Sequence, residues 1–334
     1  MSESATPSEL VILRELLANE TGFVSGSALA AKLGVSRVAI WQHMEKLRTR
    51  GFGFQAVRAR GYRLNRRPAT LSAPFIEALL ANNGTGCRVL LLDEVDSTND
   101  EAARQLAAGE LAPFVVIARS QTRGRGRFGR QWQSAKVGNL YASFAFRPQL
   151  PPGRMQTFTL WMGVVICDLV ASLCTSAPGL KWPNDLLFDN KKAGGMLTEA
   201  RMDSDTIRDL IFGIGLNVST AGEALPEEIA ARATCLAAHA TESIDINRFT
   251  AALITRVNSA YQAFLDGTFR DTFADLWNRF DLLRGRQIAV LQGETRVAGI
   301  ASGVDDEGAL LLRDEAGRLQ RFRAGEVSID KSTL

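Results

Sequence analysis

The chain opens with apolar positions at helical spacing. Leu10, Leu13 and Leu17 share one face of a helix predicted over Glu9 to Leu17, and Leu29 and Leu33 mark a shorter helix over Ser27 to Leu33. Gly34 and Val35 make a tight turn. Ser36 is placed to cap a third helix ending near Arg50, with Ile40, Met44 and Leu47 as its apolar stripe and Gly51 as its stop. The pattern then alternates: Phe52, Phe54 and Val57 lead into a turn at Ala59, Arg60 and Gly61, and a second strand follows at Tyr62 to Leu64.

Three helices and a hairpin in this order resemble a winged helix-turn-helix. In that arrangement the third helix enters the major groove and the wing touches the backbone. Ser36, Arg37, Trp41 and Gln42 would face the bases, and Arg58, Arg60 and Arg63 the phosphates, which give affinity without sequence information. Charge supports this reading: Met1 to Arg67 carries 11 Lys and Arg against 5 Asp and Glu, whereas the remainder carries 28 against 31. A winged helix kept for protein contacts or for structure is the alternative. His43 reads as a half-buried helix residue.

The polar stretch Asn65 to Ser72, interrupted by Pro68, reads as a linker. Beyond it a helix is predicted near Ser72 to Asn82, and apolar strands then alternate with amphipathic helices. From about Gly285 short alternating stretches return, at Ile288, Val290 and Leu291, at Gly299 to Val304, at Gly308 to Leu312, and at the closing GEVS of Gly325 to Ser328. Three units follow, at 1–66, 67–283 and 284–334.

At 46% hydrophobic and 22% charged residues over 334 positions, the composition is that of a globular chain. No basic, then apolar, leader opens the sequence, and the most apolar stretch, Leu160 to Leu173, is interrupted by Asp168 and short for a membrane span, so a cytoplasmic location is expected. Cys87, Cys167, Cys174 and Cys235 lack metal-binding spacing, and His43 and His239 are the only histidines. A metal site and histidine acid–base chemistry are therefore not expected. Chemistry must rest on charge and positioning.

Candidate chemistry lies in the middle unit. RGRGRFGR at Arg123 to Arg130 joins glycines, which let backbone N–H groups approach a ligand, to guanidinium forks that grip anions bidentately. A solvated basic loop is the bland reading. After a strand at Val89 to Leu92, Ser97, Thr98 and Asn99 of DSTND stand at the start of a helix predicted to reach Ala108, as recognition groups or only as caps. KWPND at Lys181 to Asp185 sets a lysine in a proline-fixed turn. Ala193 to Gly195 and GIGLNV at Gly213 to Val218 put small residues where a ligand or a neighbouring strand can approach.

In order, DSTN (Asp96 to Asn99), Gln121 with the glycine-arginine loop up to Trp132, KWPND, the lysine-rich turn Lys191 to Glu199 and GIGLNV resemble the biotin protein ligases, in particular the bacterial ligases that also repress the biotin operon. The resemblance spans nearly the whole chain. It implies an α+β fold: the N-terminal winged helix-turn-helix, a central mixed, largely antiparallel sheet with helices like that of class II aminoacyl-tRNA synthetases, and a C-terminal SH3-like β-barrel. The glycine loop is followed by Trp132 and a strand at Asn139 to Phe146, which fits neither a Walker loop nor a dinucleotide fingerprint.

The resemblance also implies a two-step reaction. Biotin and ATP, with Mg²⁺, would give biotinyl-5′-AMP, and a lysine of the biotin carboxyl carrier protein of acetyl-CoA carboxylase would then take the biotin, with no permanently bound cofactor. Arg125, Arg127 and Lys181 would hold the phosphate and carboxylate oxygens. Ser97, Thr98, Asn99, Gln121, Gly124 and Gly126 would complete the biotin and adenylate site, and Asp185 would meet the acceptor lysine. An adenylate-bound homodimer would repress biotin synthesis genes at operator DNA. The sequence departs from the pattern at Phe128, where a further basic residue is frequent. A ligase with a merely structural winged helix, a biotin sensor without transfer, and a lipoate or other acyl ligase remain as alternatives.

Overall fold

The computed structural model describes residues 6–134, 138–219 and 227–329. Its N-terminal unit is the predicted one: α1 (Pro7–Ala18), α2 (Gly26–Leu33), α3 (Arg37–Thr49), β1 (Gly53–Val57) and β2 (Gly61–Arg66). Local chemistry sets the boundaries. Thr6 and Glu9 form a capping box on α1, the Ser25 and Ser36 hydroxyls accept from the first backbone N–H groups of α2 and α3, and Gly34 ends α2 at φ 65°. Ile12, Leu13 and Leu16 pack on Ile40, Met44, Leu47 and Phe52. Glu9 is buried among them and accepts from Arg50 at 3.1 Å, while His43 sits half-buried beside it.

After α4 (Ala73–Asn82) the chain builds a seven-stranded sheet from β3 (Arg88–Val95), β4 (Phe114–Gln121), β5 (Leu140–Phe146), β6 (Gly179–Lys181), β7 (Asp185–Phe188), β8 (Lys191–Asp203) and β9 (Thr206–Leu216). The order is β3-β4-β5-β9-β8-β7-β6. β3 and β4 are parallel and every other adjacent pair is antiparallel. The helices of this unit are α5 (Thr98–Ala107), α6 (Phe158–Ala171), α7 (Glu227–Ala230), α8 (Ile246–Asp266) and α9 (Arg270–Phe280).

Both faces of the sheet are covered, which explains why its strands read as near-continuous apolar runs. Phe114 and Val116 of β4 pack with Ala102 and Leu106 of α5, whereas Val115 and Ile117 belong to the core shared with α6, α8 and α9. The apolar stretch around Leu160 is α6, buried on nearly all sides, and Asp168 at its outer edge pairs with Arg256 and Arg279. No helix among the described residues is long and apolar enough to cross a membrane.

The stretch predicted as a linker is held in place. Asn247 of α8 donates to the carbonyls of Pro68 and Thr70 and accepts the Ser72 N–H at 2.7 Å. α4 then serves two cores: Phe75 and Ala78 pack into the N-terminal unit, while Ala73, Ile76 and Leu80 pack into the central one. Glu20 adds ion pairs to Arg67 and Arg248.

The C-terminal unit is a five-stranded antiparallel sheet in the order β13-β12-β11-β10-β14, from β10 (Gln287–Gln292), β11 (Thr295–Val304), β12 (Leu310–Arg313), β13 (Leu319–Phe322) and β14 (Glu326–Ile329). β13 escaped the sequence reading because Leu319 is exposed and only Phe322 of the strand is buried. Val290, Leu310, Leu312, Phe322 and Val327 join the central core, so this unit is fused to the sheet it follows.

Candidate active site

The predicted motifs converge on one cavity of about 230 Å³. Ser97, Thr98, Asn99, Gln121, Arg125, Gly126, Arg127, Lys181 and Asp185 all line it. Gly124 lies just beneath, where an added Cβ would come within 3.0 Å of the Gln121 side chain and 2.9 Å of the Trp132 carbonyl. Lys181 ends β6, a strand held on its free side by Leu282, whose N–H donates to the Leu180 carbonyl at 3.1 Å.

The DSTN segment is built as a clasp. Asp96 accepts the Ser97 N–H at 2.8 Å and takes Arg104 of α5 bidentately at 2.7 and 3.0 Å. Arg104 holds the Asp96 carboxyl well down, to about 2. The Thr98 N–H and hydroxyl both donate to the Gln121 side-chain oxygen, at 2.8 and 3.1 Å. Ser97 is buried and its hydroxyl makes no hydrogen bond among the described residues, so it is available to a ligand.

Beneath these groups runs a polar chain that sequence reading missed. Ser143 of β5, fully buried, lies 2.7 Å from the Thr98 hydroxyl and 2.6 Å from the Asn99 oxygen. The Asn99 amide donates to Glu199 at 2.7 Å, and Glu199 pairs with Arg125. Ser143 is the sole aliphatic hydroxyl in LYASFAF, and a hydroxyl inside a buried strand needs partners. That was the available signal.

The glycine-arginine segment is a small hairpin. The Trp132 N–H donates to the Gly124 carbonyl at 2.8 Å and the Gly126 N–H to the Arg130 carbonyl at 2.7 Å, with Phe128 (φ 55°) and Gly129 (φ 70°) at the turn. Its arginines have different surroundings. Arg125 is clasped by Asp100 and Glu199, and Arg130 by Glu326 of β14. Arg127 has no carboxylate of its own among the described residues; it donates to the Gly325 carbonyl at 3.3 Å and lies over the exposed Phe128 ring. Burial pulls its guanidinium below the usual arginine range, against the pull of Asp185 and Glu326.

Lys181 is the second such cation. It is half-buried without an ion pair among the described residues, and burial lowers its ammonium, partly opposed by Asp185. Asp185 is engaged by Lys192 at 2.7 Å, and the Lys192 ammonium lies 5.3 Å from the Trp132 ring centre. Lys192 was legible only as part of a lysine-rich turn. Trp132 covers Gly195 and Gly215, where an added Cβ would come within 3.2 and 2.7 Å of its ring, and its indole N–H is buried without a partner among the described residues. Gly213 is needed instead by Asn99, whose oxygen would lie 2.2 Å from an added Cβ.

The sequence pattern of the Biotin/lipoate A/B protein ligase family matches residues 92–217, that of the Biotin protein ligase C terminal domain 284–330, and that of an HTH domain 9–63. The chain is 33% identical over 297 residues to the bifunctional ligase/repressor BirA of Bacillus spizizenii, covering 88% of this chain and 90% of that protein. It is 30% identical over 330 residues to the BirA of Escherichia coli, covering 98% of each. The chain belongs to the biotin protein ligase family. Among solved structures it resembles the biotin protein ligase of Aquifex aeolicus in complex with biotin and ATP, with a TM-score of 0.61, 29% identity, and coverage of 73% of this chain and 98% of that one.

In this member of the family most of the DNA-facing candidates are exposed. Arg37, Trp41 and Gln42 are exposed on α3, although the Ser36 hydroxyl is already used to cap that helix. Arg58 and Arg60 are exposed on the wing. The Arg60 and Arg63 guanidinium groups lie 4.5 and 5.0 Å from the centre of the Phe23 ring. Cys167 is fully buried, and burial pushes its thiol far up, as expected of a packing residue.

Proposed function

We propose that the chain activates biotin with MgATP to biotinyl-5′-AMP, transfers the biotin to a lysine of the biotin carboxyl carrier protein of acetyl-CoA carboxylase, and represses biotin synthesis genes through its winged helix. One observation carries the chemical part: Lys181 and Arg127, both partly desolvated and without ion pairs among the described residues, face one cavity with the Ser97 hydroxyl and the Gln121 amide. Two cations left unpaired in a half-buried site gain most when an anion arrives.

In the first step a biotin carboxylate oxygen attacks the α-phosphorus and pyrophosphate leaves. Two anions must meet, and Lys181 and Arg127 offset their repulsion while Mg²⁺ travels on the ATP phosphates. Ser97 and Gln121 hold the biotin head group. Arg125 positions the hairpin through Asp100 and Glu199. In the second step the carrier lysine, as a free amine, attacks the carbonyl carbon of the mixed anhydride and AMP leaves; Asp185, which pairs with Lys192, takes the amine proton in this reading. The hairpin and Trp132 exclude water meanwhile. Repression requires an adenylate-bound homodimer in the cytoplasm, with two winged helices on two half-sites.

The test is incorporation of labelled biotin into a carrier domain with ATP and Mg²⁺ by the wild type, Lys181→Ala and Arg127→Ala. Transfer by the wild type alone is expected. Biotin binding without transfer would make the chain a sensor, and no biotin binding would remove the reading altogether. Footprinting of DNA upstream of biotin synthesis genes, with and without biotin and ATP, tests repression separately.

A further inference from the structure

The outward face of α3 is unusual for a solvent-exposed helix. Its buried stripe is Ile40, Met44 and Leu47. Opposite lie Val38, Trp41, Gln42 and Glu45, at the i, i+3, i+4, i+7 spacing of a single face. Val38 is 65% and Trp41 53% exposed. Branched and aromatic residues are weaker helix formers than the Ala, Lys or Glu usual at such places, and here each leaves more than half of its surface in solvent. Trp41 also carries more apolar surface than any other side chain on this face.

Charge says what covers it. The patch sits on the basic unit of the chain, with exposed Arg37 beside it, exposed Arg58 and Arg60 on the wing, and the Arg60 and Arg63 groups held over Phe23. An apolar patch on a basic unit fits a polyanion that itself offers apolar groups. In duplex DNA the major groove has one such group, the C5 methyl of thymine, and the base paired to it offers adenine N6 and N7 to an amide.

Building on the DNA-binding reading of this unit, we infer that α3 reads A·T pairs. Val38 and Trp41 pack on thymine methyls, and Gln42 pairs bidentately with an adjacent adenine. Glu45, which would otherwise reach a cytosine amine, is engaged by Arg48 at 2.5 Å. Val38 and Trp41 thereby become specificity-determining residues, while Arg58 and Arg60 supply affinity without sequence preference.

The experiment uses the full chain with biotin, ATP and Mg²⁺ to enrich sites from a random duplex pool. The enriched sites are then remade with uracil in place of thymine, and binding is measured by mobility shift. The expected result is sites with A·T pairs at positions protected in the major groove, and binding about four-fold weaker for each contacted methyl removed. Val38→Ala and Trp41→Ala, at exposed positions, should lose the distinction between thymine and uracil while keeping the wild-type circular dichroism spectrum and salt-dependent binding to random DNA. Equal binding to thymine and uracil sites, or enrichment of G·C pairs at the protected positions, would overturn the inference while leaving DNA binding intact. A change of oligomeric state in these variants, with base preference unaltered, would mark the patch as a protein contact and overturn it too. No enrichment at all would remove the DNA-binding reading and this inference together.

Discussion

The indole N–H of Trp182 donates to the backbone carbonyl of Gly308 at 3.1 Å, joining the KWPND turn to the C-terminal sheet. Trp182 is 2% exposed, so the bond is shielded from water. Gly308 lies at φ 79°, where a Cβ would come within 2.9 Å of Leu160, and no larger residue lets the two units approach as closely. The neighbour of Lys181 is thus fixed by a segment more than a hundred residues away in sequence.

Trp182→Phe keeps an aromatic ring and deletes the donor together with the five-membered half of the indole. Leaving the Gly308 carbonyl unsatisfied should cost about 1–3 kcal/mol of stability. Because Trp182 adjoins Lys181, the kcat for adenylation should fall with little change in the KM for biotin, read by pyrophosphate exchange. A matching rise in that KM would show that Trp182 supports the whole pocket and not the lysine turn.

Burial lowers the Lys181 pKa, so its charge is lost at a pH below the usual lysine value of about 10.4. Adenylation should therefore decline on the alkaline side below that value. Lys181→Arg, which stays charged, should move the decline upward at a reduced plateau, since a guanidinium fork does not replace a point charge. Lys181→Ala should cost about 10²-fold or more in kcat. An alkaline limb unmoved in Lys181→Arg would assign that titration to another group.

Arg125 sits between Asp100 and Glu199, so its removal leaves two carboxylates beside a cavity proposed to bind anions. Arg125→Ala should raise the KM for ATP, and adding Asp100→Asn should recover part of the loss. Recovery distinguishes a positioning arginine from one that grips phosphate directly, for which the second substitution would bring none. The double-mutant cycle measures the coupling.

The Asp96 carboxyl, at about 2 beside Arg104, lies below its unfolded value of about 3.9. A depressed carboxyl contributes stability above the unfolded value and loses it as pH falls through the folded one. The difference in urea midpoint between wild type and Arg104→Ala should be full at pH 6, shrink below about pH 4 and disappear as pH falls through about 2. A gap of equal size at both ends would mean that Arg104 acts through packing alone.

The sequence by itself determined the local structure and the inventory of the site. Ser36 and Gly34 bound their helices, Ile40, Met44 and Leu47 show which face of α3 turns inward, and the ordered motifs name Ser97, Gln121, Arg127 and Lys181, because caps, periodicity and turn chemistry act over a few residues. Only the tertiary structure decided which charges are free. Four arginines look alike in RGRGRFGR, yet Asp96, Asp100, Glu199 and Glu326 arrive from elsewhere in the chain to claim Arg123, Arg125 and Arg130 and, among the described residues, leave Arg127 without a carboxylate. The same holds for Ser143 beneath Thr98, Asn247 on the linker, Lys192 on Asp185 and Gly308 on Trp182. Each depends on residues distant along the chain meeting at hydrogen-bond range, and electrostatics at that range follows distance and burial, which folding alone supplies.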